Sequence, residues 1–270
     1  LDVCANPKLT IVRGDVRHGT LLKEHVGKAE AIIHLASLVG APLCDKFPHE
    51  AQTIMSDAVK TLLLLKSPNQ IILYPNTNSG YGLGQGDIHC TEETPLNPIS
   101  LYGRLKVEAD RMILDSGNAV ALRLATVFGT SPRMRLDLLV NDFVYRAVND
   151  RFTILFEAHF KRNYIHIRDV ARAFIHCLNN FESMKNNAYN VGLSDANLSK
   201  LELCQEIKKQ LPKFYFVEAH VGEDPDKRNY IVSNEKIEKT GYKPAYSIQD
   251  GISELIKGYQ IIKRNQFANV

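Results

Sequence analysis

Gln70-Ile71-Ile72-Leu73-Tyr74-Pro75-Asn76-Thr77-Asn78-Ser79-Gly80-Tyr81-Gly82 decides the fold. Its apolar run, Ile71 to Tyr74, is short and uninterrupted, the pattern of a strand buried on both faces. The run ends in a polar turn punctuated by glycine, at the carboxyl end of the strand, where open α/β sheets bind their ligands. A loop rich in Pro, Gly and acidic residues follows. The stretch from Pro98 through Leu101, Tyr102 and Lys106 to Asp110 then reads as a helix, and Ala119-Val120-Ala121-Leu122-Arg123-Leu124 as another buried strand. Strand, helix and strand in that order predict an α/β fold.

Tyr102 and Lys106 are four residues apart, which places them on one helix face, one turn apart. A phenol titrates near pH 10 and is a poor base at neutrality, but a neighbouring ammonium favours the phenolate. A general acid/base works best with a pKa near the operating pH, so the spacing suits proton transfer. Taken alone, it also fits an ordinary amphipathic helix with a surface Tyr and Lys.

Thr77 ends the first strand 25 positions before Tyr102, and a His34-Leu35-Ala36 turn ends the preceding apolar run, Ala31 to Leu35. With these residues the chain, from about Gly14 to its C-terminus, resembles the extended short-chain dehydrogenases/reductases of the NAD-dependent nucleotide-sugar epimerase/dehydratase group. The resemblance implies a Rossmann-like doubly wound parallel sheet with a smaller C-terminal substrate lobe, and NAD as cofactor. It implies Thr77, Tyr102 and Lys106 as the catalytic set around a nicotinamide ring, with Lys106 also lowering the Tyr102 pKa. It places Asp15 and Val16 near the adenine, and Leu35, Ala36, Ser37 and Thr126 along the cofactor, together with Tyr102 and Lys106. Asp15 is equally readable as a plain turn-forming residue.

Composition agrees with an ordinary soluble enzyme. In 270 residues, 44% hydrophobic and 23% charged content is that of a globular protein, and the length admits a main domain plus a smaller lobe. A net charge of +3 gives no argument for nucleic acid and does not oppose a phosphorylated ligand. No apolar run is long enough to span a bilayer, and a cytoplasmic location is expected. Cys4, Cys44, Cys90, Cys177 and Cys204 are scattered without metal-ligand spacing, which predicts free thiols and no metal site.

Leu9-Thr10-Ile11-Val12-Arg13 reads as a strand ending at Gly14 and Asp15, and His18 to Val26 as a short helix. No glycine-rich turn between strand and helix precedes Asp15, although a dinucleotide's pyrophosphate sits on such a turn. Gly80, Gly82, Gly84 and Gly86 follow a strand but open no helix, because His89 to Pro98 reads as loop; this Gly-x-Gly pattern is a decoy. The missing unit normally supplies the central strand, so a gap is expected between the two N-terminal strands. The sequence is expected to lack about 60 residues of a longer parent, from the size of a strand-helix-strand unit. Glu50 to Lys66 reads as a helix whose face Ile54, Ala58, Thr61, Leu62 and Leu65 is core or dimer surface.

From Pro132 the chain is more basic, with a helix expected from Leu136 to Asn149 and an amphipathic helix from Ile248 to Arg264. Residues 1–131 are expected to form the truncated dinucleotide-binding domain, and 132–270 mainly the substrate lobe, with about 152–182 returning to the first domain. By resemblance, Asn141 meets the nucleotide part of the substrate and Arg162 its diphosphate, a pairing that suits a guanidinium. Arg228, in Asp224-Pro225-Asp226-Lys227-Arg228, is a second such cation, though a charge run is also readable as a solvated face. His166 is expected to be structural, and Asp169 to cap or open a helix from Val170 to Phe181.

The implied function is NAD-dependent oxidation or reduction at C4 of a nucleotide-diphospho-sugar. The segments Val39–Cys44, Thr77–Gly82, Arg123–Phe143 and Gly222–Arg228 are most similar to the GDP-heptose 4-dehydrogenases of capsule polysaccharide biosynthesis. A 4-epimerase and a non-catalytic binding or scaffold remnant are the alternatives, and a homodimer is expected. Dehydratases of the family carry Asp-Glu directly after the Thr to move the C5 proton and the C6 hydroxyl. Here Asn78 and Ser79 stand there, able to bind a sugar hydroxyl but not to titrate, so dehydration is not expected.

Overall fold

The computed structural model describes residues 2–84, 88–219, 221–222 and 228–262. Helix α1 (Gly19–Val26) leads to strand β1 (Ala31–Ile33), then to α2 (Ala41–Lys46), α3 (Pro48–Gln52) and α4 (Ala58–Leu65), the last two joined by a π turn at Thr53–Asp57. Next come β2 (Ile71–Thr77), a 3-10 turn at Asn78–Tyr81, β3 (His89–Cys90), α5 (Leu101–Asp115), β4 (Ala119–Leu124) and β5 (Thr126–Phe128). The remainder is α6 (Leu139–Asn149), β6 (Phe152–Leu155), β7 (Lys161–His166), α7 (Ile167–Asn179), α8 (Phe181–Met184) and β8 (Asn187–Val191). It closes with β9 (Asn197–Ser199), α9 (Lys200–Gln210), β10 (Tyr215–Glu218), β11 (Ile231–Val232), α10 (Glu235–Glu238) and α11 (Ile248–Ile261).

The main sheet has the order β1-β2-β4-β8, parallel throughout, with Leu73 opposite Val120 and Leu122 opposite Tyr189. Parallel neighbours need a crossover, and α5 is the one between β2 and β4. Alternate residues leave opposite faces of the sheet. Ile72, Tyr74 and Ala119 pack with Val59 and Leu62 of α4 and Ala109 and Ile113 of α5. Leu73, Val120 and Leu122 join the larger core, which includes Val144 of α6, Ala173 of α7, Ile207 of α9 and Ile252 of α11. Both faces are therefore covered, which is why β2 and β4 carry apolar runs rather than an alternating pattern. Each large side chain buried there contributes about 1.5–3 kcal/mol.

Two expected strands behave differently. Residues 9–13 form no strand, and Leu9, Ile11 and Val12 are exposed. No ladder joins them to β1, and an unpaired segment leaves its backbone groups to water. For the same reason β1, expected to be buried, is an edge: it pairs only with β2, and Ala31 and Ile33 face solvent.

Other boundaries moved for local reasons. Residues 39–49, read as a lead-in, contain α2, with Pro42 in its first turn. The helix expected over Glu50–Lys66 is interrupted by its π turn. His89–Cys90, expected in a loop, pairs with β11. Helix α11 is described to Ile261, so the expected end at Arg264 lies outside the described residues. Asp169 does not cap its own helix; α7 begins at Ile167 with His166 at its N-cap, and the buried Asp169 carboxylate accepts the backbone N–H groups of Ala245 and Tyr246, each at 2.9 Å.

Among the described residues, no helix is long and apolar enough to cross a membrane, and no His, Cys, Asp and Glu cluster could hold a metal.

Candidate active site

Strand β2 ends at Thr77, and the chain turns at once into the 3-10 turn that Thr77 caps: its Oγ1 accepts the Ser79 N–H at 3.1 Å and donates to Ser79 Oγ at 2.9 Å. Helix α5 starts against this turn, with Ser100 as N-cap accepting the Gly103 N–H at 3.1 Å. A Cβ on Gly103 would lie 2.9 Å from Pro98 Cβ and 3.5 Å from the Ser79 carbonyl oxygen, so glycine permits the close approach. Gly82, at φ 69°, would place a Cβ 2.1 Å from the Asn97 carbonyl oxygen. The glycines that imitate a phosphate loop therefore serve chain packing; Gly86 lies outside the described residues.

Tyr102 is half-buried, beside Cys44, Met55 and Leu105. Burial pushes its phenol up to about 12, and the cations that oppose this are Arg228 and then Arg135. Lys106, one helical turn further along α5, is engaged by β2. Its ammonium donates to the Pro75 carbonyl at 2.6 Å and to Tyr74 OH at 3.1 Å, and it lies 4.3 Å from the centre of the Tyr74 ring. Burial brings Lys106 down to about 7, against the opposing charges of Asp110 and Cys44. His34 stacks on Tyr74 at 6.3 Å, with its Nε2 buried and unpartnered, and burial pushes it down to about 4.

Arg228 joins the parts. It donates to Ser79 Oγ, acts on Tyr102, and lines a cavity of about 480 Å³ with Thr126, Arg162, Lys200, Asp142 and Arg146. Asp224 to Lys227, quoted with it in the sequence, lie outside the described residues. Arg162 is buried, donates to the Lys161 carbonyl at 2.9 Å and lies 5.6 Å from the Tyr230 ring. Thr77, Asn78, Ser79, Tyr102, Lys106 and Arg228 thus gather at the carboxyl edge of β2, with Thr126 and Arg162 in the adjoining cavity. Asn78 is buried there with both side-chain amide atoms unpartnered.

Other predicted residues are used differently. Asn141 is absent from the cavity lining; its amide accepts the Gly129 N–H at 3.1 Å and donates to the Arg135 carbonyl at 2.9 Å. Asp15 is partly exposed and paired with Arg17, which holds its carboxyl well below the usual range. Val16, Ala36 and Ser37 are half-buried, Leu35 is 64% exposed, and Ser37 Oγ donates to the Leu38 carbonyl at 3.0 Å. His166 is fully buried, stacked on Tyr246 at 4.5 Å and edge-on to Phe128 at 5.4 Å, as expected for a structural residue. Sequence reasoning missed Arg135, whose only signal was the basic composition after Pro132, and Tyr74, hidden inside an apolar strand.

Orphaned buried polar atoms test the fit of a nicotinamide cofactor. His34 Nε2 and both Asn78 amide atoms are orphaned, and Lys106 has a third ammonium proton beyond its two acceptors. These residues fit a polar ligand such as a nicotinamide riboside. No glycine-rich strand-turn-helix for a pyrophosphate occurs among the described residues.

Known proteins share this architecture. The low-salt glycan biosynthesis protein Agl12 of Haloferax volcanii is 26% identical over 273 residues, covering 94% of this chain and 83% of the relative. UDP-glucose 4-epimerase of Lactobacillus helveticus is 23% identical, covering 92% and 82%. Among solved structures, dTDP-glucose 4,6-dehydratase of Bacillus anthracis, in complex with NAD, superposes with a TM-score of 0.80 at 21% identity, covering 97% of this chain and 83% of that one. UDP-glucuronic acid 4-epimerase of Bacillus cereus gives 0.83 at 20% identity, covering 97% and 85%. The model of the NAD dependent epimerase/dehydratase family matches residues 2–192, and with the α/β sheet and the Thr77, Tyr102 and Lys106 edge this chain belongs to that family.

Proposed function

We propose that this chain carries out NAD-dependent oxidation or reduction at C4 of a nucleotide-diphospho-sugar, without dehydration. The observation that carries the reading is Arg228: one guanidinium touches the Thr77–Ser79 turn, acts on Tyr102 and lines the basic cavity beside Arg162 and Lys200. A diphosphate in that cavity brings its sugar to Tyr102. Tyr102 exchanges a proton with the C4 oxygen, Thr77 holds the same hydroxyl, and Asn78 and Ser79 bind neighbouring hydroxyls. Lys106 holds the ribose of the nicotinamide half from its buried position, beside Leu35, Ala36 and Ser37, with Thr126 further along. Asp15 is the adenine-side contact, once its pairing with Arg17 is exchanged. When bound, NAD supplies the hydride acceptor and donor.

The C-terminal residues from 132 act mainly as the substrate lobe. Asn141 contributes by holding the Gly129 and Arg135 loop rather than by touching the nucleotide. The resemblance of Val39–Cys44 and Arg123–Phe143 to GDP-heptose 4-dehydrogenases makes GDP-heptose the first substrate to try, in a cytoplasmic homodimer serving capsule polysaccharide synthesis. A second reading is favoured by the relatives named 4-epimerases: the same proton and hydride exchange, followed by return of the hydride to the opposite face of the sugar.

Product mass decides among these. A loss or gain of two hydrogens fits oxidation or reduction, and an unchanged mass fits epimerisation. Loss of one water would mean that residues other than Asn78 and Ser79 supply an acid and a base, and would overturn the reading of this turn.

A further inference from the structure

Asp110 lies one helical turn beyond Lys106, on the stripe of α5 that already carries Tyr102 and Lys106. It is 1% exposed, which is rare for a carboxylate without a compensating partner. Its Oδ2 meets Arg123 of β4 at 3.3 Å, and the Asn76 side chain of β2 hydrogen-bonds the same carboxyl group. Arg123 in turn donates to the Glu92 carbonyl at 3.0 Å and to Tyr81 OH at 3.3 Å; Tyr81 OH donates to Asn190 Oδ1 at 2.6 Å. The carboxyl group is therefore fixed from the sheet side, by β4 through Arg123 and by β2 through Asn76.

Lys106 needs such a partner. The groups that face it are Tyr74 of β2 through two contacts, His34 at the end of β1, Cys44 of α2, and Asp110 and Tyr102 on its own helix. Tyr74 and Tyr102 are protonated phenols at neutral pH, Cys44 is pushed up to about 11, and His34 is neutral. Asp110 is then the one carboxyl among the facing groups, and it is the largest influence opposing the loss of the lysine's proton. Burial raises the Asp110 carboxyl itself, and Arg123 is the first group that counters this.

We propose that Asp110 is a positioning residue of this site: held by Arg123, it is the buried counter-charge that keeps the Lys106 side chain an ammonium. The pair gives Lys106 its charge, and Pro75 and Tyr74 give it its direction. The importance of that charge rests on the function proposed above, but the pairing itself does not.

The test is titration of Lys106 by NMR of isotope-labelled lysine Cε atoms in the 270-residue chain, with the resonance identified by its loss in Lys106→Met. Asp110→Asn is expected to lower the midpoint by about one unit, so that at the wild-type midpoint the charged fraction falls from one half to about a tenth. Asp110→Glu is expected to restore most of the shift. A midpoint that stays or rises in Asp110→Asn overturns the proposal. If that variant does not fold, because it strands a buried guanidinium, Asp110→Asn combined with Arg123→Gln removes both charges. The midpoint is still expected to fall, because Asp110 is the first group that favours the charged lysine; a midpoint that stays or rises overturns the proposal here too. A lowered midpoint in a chain that turns over no nucleotide sugar supports the pairing and refutes only the proposed function.

Discussion

Replacing Lys106 by Met should make the fold more stable near neutrality while removing a residue of the site. The side chain is 5% exposed, and burial takes its pKa from 10.5 to about 7. That displacement amounts to about 5 kcal/mol against the charged form. Met has similar length and no charge to desolvate. Its cost is the loss of the bonds to Pro75 and Tyr74, about 2–3 kcal/mol with the acceptors left unsatisfied. At about pH 6 the variant should therefore exceed the wild type by about 2 kcal/mol.

The pH dependence follows from the sign of the shift. The folded-state pKa is depressed, so between about 7 and 10.5 the unfolded chain binds more protons than the folded one. Stability of the wild type rises with pH through that window, by about 2.7 kcal/mol from about pH 6 to about pH 9. The variant lacks this rise, so its advantage should vanish by about pH 9. The folded-state titrations of His34 near 4, Cys44 near 11 and Tyr102 near 12 lie outside the interval, and the unfolded His34, which titrates near 6.5, is common to both proteins and cancels in their difference. Urea unfolding of both proteins across this range measures the difference. A difference that varies by less than about 1 kcal/mol, or a variant already less stable at the low end, refutes the argument.

Two further outcomes are expected. Tyr102→Phe should lower turnover by two to four orders of magnitude, about the range for losing a general acid/base, with nearly unchanged cofactor affinity by titration; wild-type turnover would remove Tyr102 from the chemistry. Asp169→Ala should destabilise the fold by about 3 kcal/mol in urea unfolding, because two backbone N–H groups at 2.9 Å lose a fully buried carboxylate.

The elements legible in the sequence were those whose pattern is set by burial on both faces. β4 has the expected bounds, β2 starts where its apolar run does but continues to Thr77, and the Tyr102 helix runs from Leu101 to Asp115 rather than from Pro98 to Asp110; no tertiary partner is needed to recognise an uninterrupted apolar run or a four-residue spacing. Residues 9–13 have the same composition but no ladder partner, and composition cannot report a missing neighbour. Asp169 failed for a related reason: an acidic residue at a helix start reads as a cap, while its actual partners lie 76 and 77 residues away. Within the site, spacing showed only that Tyr102 and Lys106 share a helix face; Thr77 joined them through the family resemblance. The cations that act on Tyr102 were not visible, since Arg228 and Arg135 reach it through the fold.

Burial acts on the two central groups in opposite chemical senses, and this sets the direction in which the site is poised. It removes charge from Lys106 and withholds it from Tyr102, so both are driven toward their neutral forms. A phenol near 12 is a proton donor at neutral pH, suited to delivering a proton to a C4 ketone oxygen. Removing a proton from a C4 alcohol needs positive charge close to the phenol, and Arg228 is the first of the cations that supply it. Arg228 also lines the cavity assigned to the diphosphate. A diphosphate that engages this guanidinium spends part of its charge, and Tyr102 then moves further toward the phenol. Substrate binding and the protonation state of Tyr102 are in this way coupled through a single side chain. The oxidative direction must therefore draw on charge other than that of Arg228, and Arg135 is the next of the cations that act on the phenol.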